Sequence, residues 1–178
     1  MSNFVNTVDS LGDEALTNSI IDRSITEIQD NYVATIGNYS FSYCGNLTAV
    51  HFPAATSIGK YAFKYCTALT EVDFPAATNI NAYSFGDCSA LTTADFPAVT
   101  SIESYAFSYC TKLTTLILRS ATVATLSELK ALERTAISYG KGYIYVPAAL
   151  VDSYKAATNW STYANQIRAI EDYPDICG

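Results

Sequence analysis

Apolar and polar positions along the middle of the chain follow a pattern that recurs every 22 residues. The clearest copies are residues 47–68 (LTAVHFPAATSIGKYAFKYCTA), 69–90 and 91–112. Residues 25–46 form a further copy with a degraded first half, and residues 113–122 begin another that then departs from the pattern. In each clear copy the recurring core positions are 1, 4, 6, 12, 17 and 20. A unit this short cannot bury its own apolar face, so the copies are expected to stack and share one core.

The first six positions of each copy predict a short β-strand, because they hold β-favouring residues and end at a proline. In a parallel stack, equivalent residues of neighbouring strands lie about 4.8 Å apart. Each column of aligned residues should therefore become a ladder through the protein. One such predicted ladder consists of Phe41, Phe63, Phe85 and Phe107.

The pattern L-T-x-V-x-F-P-x-x-x-x-I-x-x-x-A-F-x-x-C resembles the BspA-like leucine-rich repeat, a bacterial variant with a cysteine near its end. The resemblance covers residues 25 to about 122, with departures at Asn31 and Arg119, where proline is expected, and at Asp87, where the other copies have tyrosine. It implies a right-handed repeat solenoid of about five coils, with short parallel strands on the concave face. Known members act mostly as surface adhesins and protein-binding scaffolds, and the family implies no catalytic residue.

Both ends of the stack are predicted to carry caps, since an uncapped last coil would expose core. We expect an N-terminal capping segment (1–24) with a helix over 13–24, the solenoid (25–122) and a C-terminal cap (123–178), all in one domain. In the C-terminal cap, a capping-box sequence at 125–128 predicts a helix. A strand at 143–146, a helix after Pro147 and a helical segment from Ser161 that buries Tyr163, Ile167 and Ile170 should follow. This C-terminal stretch also resembles the tail of gut-bacterial and phage-like members of the family.

Composition and charge narrow the functional classes. Apolar residues make up 49% and charged residues 15%, which excludes intrinsic disorder. The net charge of −7 disfavours a nucleic-acid partner. No apolar run approaches the length of about 20 residues that a membrane span needs, so no membrane insertion is expected. Residues 1–13 lack the features of a signal peptide, which favours a cytoplasmic or virion-associated protein, whereas the family resemblance favours a cell-surface or secreted one.

Four of the five cysteines recur with the repeat and should form one internal ladder: Cys44, Cys66, Cys88 and Cys110. A straight column cannot converge on a tetrahedral metal, and side chains that point the same way rarely reach the disulfide torsion. We therefore expect buried, inert thiols, no metal and no disulfide. Cys177, outside the repeat, is the thiol expected to react.

Catalysis is not predicted. His51 is the only histidine, and it should face the concave surface whereas the cysteines point into the coil, so no Cys-His pair can form. No motif for a catalytic triad or a cofactor is present. Trp160 is expected to be a packing anchor of the C-terminal cap, with ligand stacking as the alternative.

The concave ladder offers a candidate partner surface. Glu71, Asp73 and Asp95 should cluster on adjacent strands, flanked by His51, Thr93 and Thr115. Like charges about 5 Å apart are mildly unfavourable, so the cluster invites a basic patch of a protein partner. The alternatives are that these acids keep the sheet soluble and block lateral pairing, or that they bind calcium.

Tyrosine columns form a second candidate surface on the convex side. One column holds Tyr39, Tyr61, Tyr83 and Tyr105, and the other holds Tyr43, Tyr65 and Tyr109, with Asp87 between the last two. Stacked rings can simply pack from coil to coil, but exposed tyrosine is also common at protein interfaces and sugar-binding surfaces. The residues that we assign to this secondary surface are Tyr61, Tyr65, Tyr105 and Tyr109.

The sequence thus predicts a non-enzymatic interaction module, adhesin-like or virion-attachment-like, that binds a protein partner. Two alternatives remain open: a structural spacer in a larger assembly such as a phage tail, and a glycan-binding module that uses the tyrosine columns.

Overall fold

Through the repeats, successive strands alternate between two layers of parallel strands, as expected for a coil that returns to its starting point every 22 residues. The structure is a computed structural model and describes residues 10–11 and 24–176. In chain order the strands are β1 (Ser10–Leu11), β2 (Glu27–Gln29), β3 (Thr35–Ile36), β4 (Ala49–His51), β5 (Ser57–Ile58), β6 (Glu71–Asp73), β7 (Asn79–Ile80), β8 (Thr93–Phe96), β9 (Ser101–Ile102), β10 (Thr115–Leu118), β11 (Thr125–Leu126), β12 (Tyr143–Val146) and β13 (Ile167–Ala169).

The odd-numbered strands β1 to β11 form one sheet in the order β1-β3-β5-β7-β9-β11. The longer strands are arranged as β2-β4-β6 and, beside β6, β8-β10-β12-β13. All paired strands run parallel, and their register follows the repeat, with Val50 opposite Val72 and Leu116 opposite Ala94. The outer surface of the longer strands is called the strand face below. The prediction of a repeat solenoid with short parallel strands is confirmed.

The core consists of the predicted ladders. Phe41, Phe63, Phe85 and Phe107 are fully buried. Successive rings in this column stack with centroids 5.1, 5.3 and 5.4 Å apart. A second phenylalanine column packs against the first, with ring centroids 5.7 to 6.1 Å apart, and Leu47, Leu69, Leu91 and Leu113 are also fully buried. Because the rings of Phe63 and Phe85 stack on rings of the coils on both sides, the core is continuous from one coil to the next.

Threonine columns add polar links between coils. The hydroxyl of Thr70 donates to the carbonyl of Thr48 at 3.2 Å, and the hydroxyl of Thr78 donates to the carbonyl of Thr56 at the same distance. Each donor lies 22 residues after its acceptor. The recurring L-T and A-T pairs of the sequence therefore join each coil to the one before it.

The turn that closes each coil contains two residues in the left-handed backbone region. These residues are Tyr39, Tyr43, Tyr61, Tyr65, Tyr83, Asp87, Tyr105 and Tyr109, with φ between 58° and 65°. A left-handed conformation costs roughly 1–2 kcal/mol for a residue with a side chain. The gain is that alternate amides point at the next coil: the N–H of Tyr61 donates to Ala82 and that of Tyr65 donates to Gly86, at 3.1 and 2.9 Å.

The C-terminal segment continues the strand-face sheet. The fifth coil is longer than the others, since Thr115 lies opposite Tyr143, yet β12 and β13 still pair in parallel. The strand at 143–146 and the helix after Pro147 are as predicted; the helix is α1 (Val151–Ala156), preceded by the 3-10 turn Ala148–Leu150.

Two predicted helices are wrong. The capping-box segment forms β11 and the 3-10 helix Leu129–Leu132, whose Glu128 N-cap makes no side-chain capping bond. The segment from Ser161 forms the 3-10 helix Trp160–Tyr163 and then β13, because Ile167 pairs with Ile144 in the sheet instead of continuing a helix. The N-terminal helix predicted over 13–24 lies, apart from its last residue, outside the described residues. Among the helices in the described ranges, none has the length and apolar character to cross a membrane.

Candidate functional site

His51 lies among three carboxylates on the strand face. Its Nδ1 is 3.7 Å from Asp73 Oδ2, and its Nε2 is 3.7 Å from Glu71 Oε1 and 3.9 Å from Glu27 Oε1. The strands fix this arrangement, because His51 is paired directly with Asp73 and with Gln29 in the parallel register. The three carboxylate side chains are more than half exposed, whereas His51 is 23% exposed. The result is an acidic surface with the imidazole at its centre.

Asp95 is not part of this free acidic surface. It receives two bonds from Arg119 Nε, at 3.2 and 3.1 Å, and one from Arg119 Nη2 at 2.7 Å. The structure therefore brings Glu71, Asp73 and His51 together as expected but neutralises Asp95. Glu27, and not Asp95, is the third carboxylate of the cluster. The alignment of the repeats contains the signal for both residues, because Glu27 aligns with Glu71 and Arg119 stands where proline is expected.

Thr93 on β8 lies opposite Thr115 on β10. Strand β8 also carries Asp95, and Arg119 directly follows β10. Thr93 is exposed and Thr115 is half-buried. They extend the polar surface from the acidic cluster toward the C-terminal coils, in the position that the sequence predicts for them.

Beyond these threonines the strand face becomes apolar and is covered. Ile117 and Tyr145 occupy the same column as His51 and Asp73, and both are buried under Ile170 and Ile176. Residues 170–176, called the strap below, form two 3-10 turns, Ile170–Asp172 and Pro174–Ile176. Burial under the strap raises the pKa of Tyr145, with a smaller contribution from Tyr173 and Tyr143.

The tyrosine columns are stacks whose ring faces contact one another. Tyr39, Tyr61, Tyr83 and Tyr105 follow each other at centroid distances of 4.7, 4.9 and 4.5 Å, with planes within 7° of parallel. Lys64 Nζ lies 4.7 to 5.4 Å from three tyrosine ring centroids, and Lys130 Nζ lies 5.3 Å from that of Tyr105. A hydrogen bond to Tyr105 raises the pKa of Lys130. Because a sugar binds aromatic residues through an open ring face, these stacks disfavour glycan binding within the column.

The second column is shorter. Tyr43 stacks on Tyr65 at 4.7 Å, Asp87 interrupts the column, and Arg134 Cζ lies 5.3 Å from the ring of Tyr109. Partial burial raises the pKa of Asp87, and the nearby Lys64 opposes that effect. The four tyrosines of the secondary surface thus lie on one side of the protein but in two separate rows.

The cysteines form the predicted buried ladder. Cys44, Cys66, Cys88 and Cys110 are buried and not disulfide-bonded. The thiol of Cys66 donates to the carbonyl of Phe41 at 3.1 Å, and the thiols of Cys88 and Cys110 make the equivalent bonds to Phe63 and Phe85. Within residues 24–176 no three His, Cys, Asp or Glu side chains are placed to hold one metal ion.

We expect the four ladder thiols to be unreactive in the folded protein. Burial raises the pKa of Cys66 and of Cys88 well above the ordinary value of 9.0, so the nucleophilic thiolate is scarce. The contribution of these buried neutral thiols to the free energy of unfolding is fully present below pH 9.0. It declines at higher pH, because the thiols of the unfolded protein ionise before those of the folded protein. Titration with Ellman's reagent at pH 8 should count one fast thiol, Cys177, which lies outside the described residues, and should count the other four after denaturation. Two disulfides in the intact mass of fresh protein would contradict this expectation.

Comparisons with known proteins agree with the repeat. Residues 2–76 and 34–139 match the family model described as BspA type leucine rich repeat region, with 6 copies. The solved leucine-rich repeat protein TpLRR of T. pallidum is 21% identical at a TM-score of 0.59, and the match covers 68% of this chain and 58% of that one. A leucine rich cell surface protein of Faecalibacterium prausnitzii A2-165 is 28% identical at a TM-score of 0.65, over 85% of this chain and 42% of that one. The chain therefore spans about half the length of these neighbours. None of the curated proteins matches it.

Proposed function

We propose that this chain, which belongs to the BspA-type leucine-rich repeat family, is a non-enzymatic module that binds another protein through its strand face. Proteins of this family generally mediate protein interaction or adhesion. The adhesin-like role is supported by the F. prausnitzii neighbour, which is described as a cell surface protein.

The observation that carries the proposal is the acidic cluster around His51. Glu27, Glu71 and Asp73 stand on three adjacent strands with their carboxylates exposed and only an imidazole between them. The strands are held by a shared core, so the side chains are pre-organised and lose little entropy on contact. A partner should therefore present a basic patch, and association should slow as the salt concentration rises.

The contrast with Asp95 defines the site further. Arg119 already binds both oxygens of Asp95, with Nε donating to Oδ1 and Nη2 donating to Oδ2, so this carboxylate offers little to a partner. Glu71 and Asp73 are the residues to change, because neither points into the core and neither carries a bidentate ion pair.

The test compares recovery of one partner by matched variants. The double reversal Glu71→Lys with Asp73→Lys should lose the partner that the wild type retains from an extract of host-cell surface or virion proteins. The control, Glu133→Lys with Asp152→Lys, makes the same change in net charge away from the strand face and should retain it. Recovery that is equal for all three proteins, compared by mass spectrometry of the same band, would remove the strand face from the proposal. Recovery that fails for both double variants would indicate attraction to net charge alone.

A further inference from the structure

The strap packs on the strand face mainly through two apolar side chains at its ends. Ile170 and Ile176 pack on Ile117 and Tyr145, which are 3% and 5% exposed. The ring of Tyr173 contacts that of Tyr145 edge-on, with centroids 5.1 Å apart. The carbonyl of Ile176 lies 3.5 Å from Arg119 Nη2.

The surface beneath the strap breaks the pattern of the column to which it belongs. In the first four coils the column holds Gln29, His51, Asp73 and Asp95, all polar, whereas the next two coils place Ile117 and Tyr145 there. Apolar side chains at these positions would be exposed on the strand face without the strap. The strand face therefore consists of an open acidic part and a covered apolar part, joined at the Asp95–Arg119 pair.

The strap is held differently from the strands below it. Two backbone bonds lie within its own turns: the N–H of Tyr173 donates to the carbonyl of Ile170 at 3.0 Å, and the N–H of Ile176 donates to the carbonyl of Tyr173 at 2.9 Å. Glu171 accepts a bond from the Ala148 amide at 2.9 Å. Residues 171–175 are all exposed. A segment with exposed backbone and few buried apolar contacts opens at a lower free energy than the core does.

We propose that the strap is a displaceable cover and that the partner of the strand face is a segment with basic residues within about three residues of a branched aliphatic residue. This inference rests on the proposed function, because the basic residues are those that the acidic cluster would bind. The aliphatic residue takes the position that Ile170 or Ile176 occupies over Ile117. Asp73 and Ile117 are two strands apart, about 10 Å, which an extended segment spans in about three residues.

The first experiment measures strap opening in the unmodified protein by hydrogen exchange. The amides of Tyr173 and Ile176 should exchange much faster than the sheet amides of β12, and their rates should not follow global unfolding in low concentrations of denaturant. Exchange of the strap only together with β12 would show a fixed end cap and overturn the proposal.

The second experiment uses two synthetic peptides as probes of the covered surface. The peptide IKKYPKI carries the strap sequence 170–176 with its three carboxylates replaced by lysine, and SKKYPKS lacks both isoleucines. The full-length variant Ile170→Ser with Ile176→Ser, whose own strap is loosened, should bind IKKYPKI about tenfold more tightly than the wild type does. SKKYPKS should bind both proteins equally weakly. Leu129→Ser, which changes an exposed aliphatic residue away from the strap, should behave as the wild type does.

The outcomes separate this inference from the proposed function. Equal affinity of IKKYPKI for the wild type and the loosened variant would overturn the proposal that the strap covers a binding surface. Glu71→Gln with Asp73→Asn, added to the loosened variant, should weaken IKKYPKI binding in a salt-dependent way. If loosening the strap tightens binding but these two changes have no effect, the covered apolar surface is supported and the acidic site fails. Unfolding midpoints close to that of the wild type confirm that each variant is folded.

Discussion

The substitution Phe63→Ala is expected to lower the free energy of unfolding by about 3–5 kcal/mol. Phe63 is fully buried in a central coil. Its ring stacks between Phe41 and Phe85, at 5.1 and 5.3 Å, and contacts Phe74 at 5.7 Å. Alanine would leave a cavity that the coils on both sides line, and neither coil can move to fill it without breaking its own bonds to the next.

Chemical denaturation, followed by circular dichroism, measures this loss. Tyr139→Ala is the matched control, because Tyr139 is a ring of similar size that is 63% exposed, and a surface change of this kind usually stays within about 0.5 kcal/mol. A loss below about 1 kcal/mol for Phe63→Ala would mean that this column does not carry the core. An unchanged denaturant slope would show that the variant still unfolds as one unit.

The second large effect is expected at Trp160. Trp160 is 1% exposed and packs edge-on against Tyr154 with ring centroids 5.3 Å apart. Its Nε1 donates to the carbonyl of Ala124 at 2.6 Å, while the Tyr154 hydroxyl accepts from the amide of the same residue at 2.9 Å. These two side chains therefore provide the hydrogen-bond partners of the Ala124 carbonyl and amide in the elongated fifth coil, where the chain departs from the repeat. Trp160→Ala should cost about 3–5 kcal/mol.

Trp160→Phe separates the packing from the hydrogen bond. Phenylalanine keeps most of the ring but leaves the Ala124 carbonyl buried without its donor, which should cost about 1–3 kcal/mol. The same denaturation experiment measures both variants. A loss below about 1 kcal/mol for Trp160→Ala would show that the ring is not an anchor, and would return it to the ligand-stacking alternative.

The part of the fold that the sequence predicts is the part that repeats. A parallel stack places equivalent residues next to each other, so the alignment of residues 47–112 defines both the core columns and the neighbours across each strand. Phe63 between Phe41 and Phe85, and His51 opposite Asp73, follow from the repeat alone. The same logic places Cys66 in a buried column, as the structure shows.

The fifth coil could not be predicted because its length hides the register. The register of β11 against β9 places Leu126 opposite Ile102, which an alignment without gaps does not give. Further on, Ile167 and Ile170 are three residues apart, a spacing that a helix uses, but Ile167 belongs to β13 and Ile170 to the strap. Short apolar segments fit either structure, and the tertiary pairing decides between them.

The candidate site was predicted in part for a similar reason. The repeat predicts that Asp73 and Asp95 lie in one column, but it does not predict which contact is made by a residue that replaces the proline. Arg119 does so in the fifth coil, and its side chain returns to Asp95 in the coil before. The strap comes from outside the repeat, so its position over Ile117 and Tyr145 has no counterpart in any other copy.

The columns that hold the coils together are not the columns that face a partner, and this separation has a consequence for how such a protein can diversify. Duplicating a whole coil would present the same phenylalanine, threonine and thiol partners to its neighbours, and would leave the stack intact. The strand-face positions already differ between copies, with Ala49, Glu71 and Thr93 in one column and His51, Asp73 and Asp95 in the next. Copy number can therefore change the reach of the surface while point changes alter its recognition, each with little cost to the other.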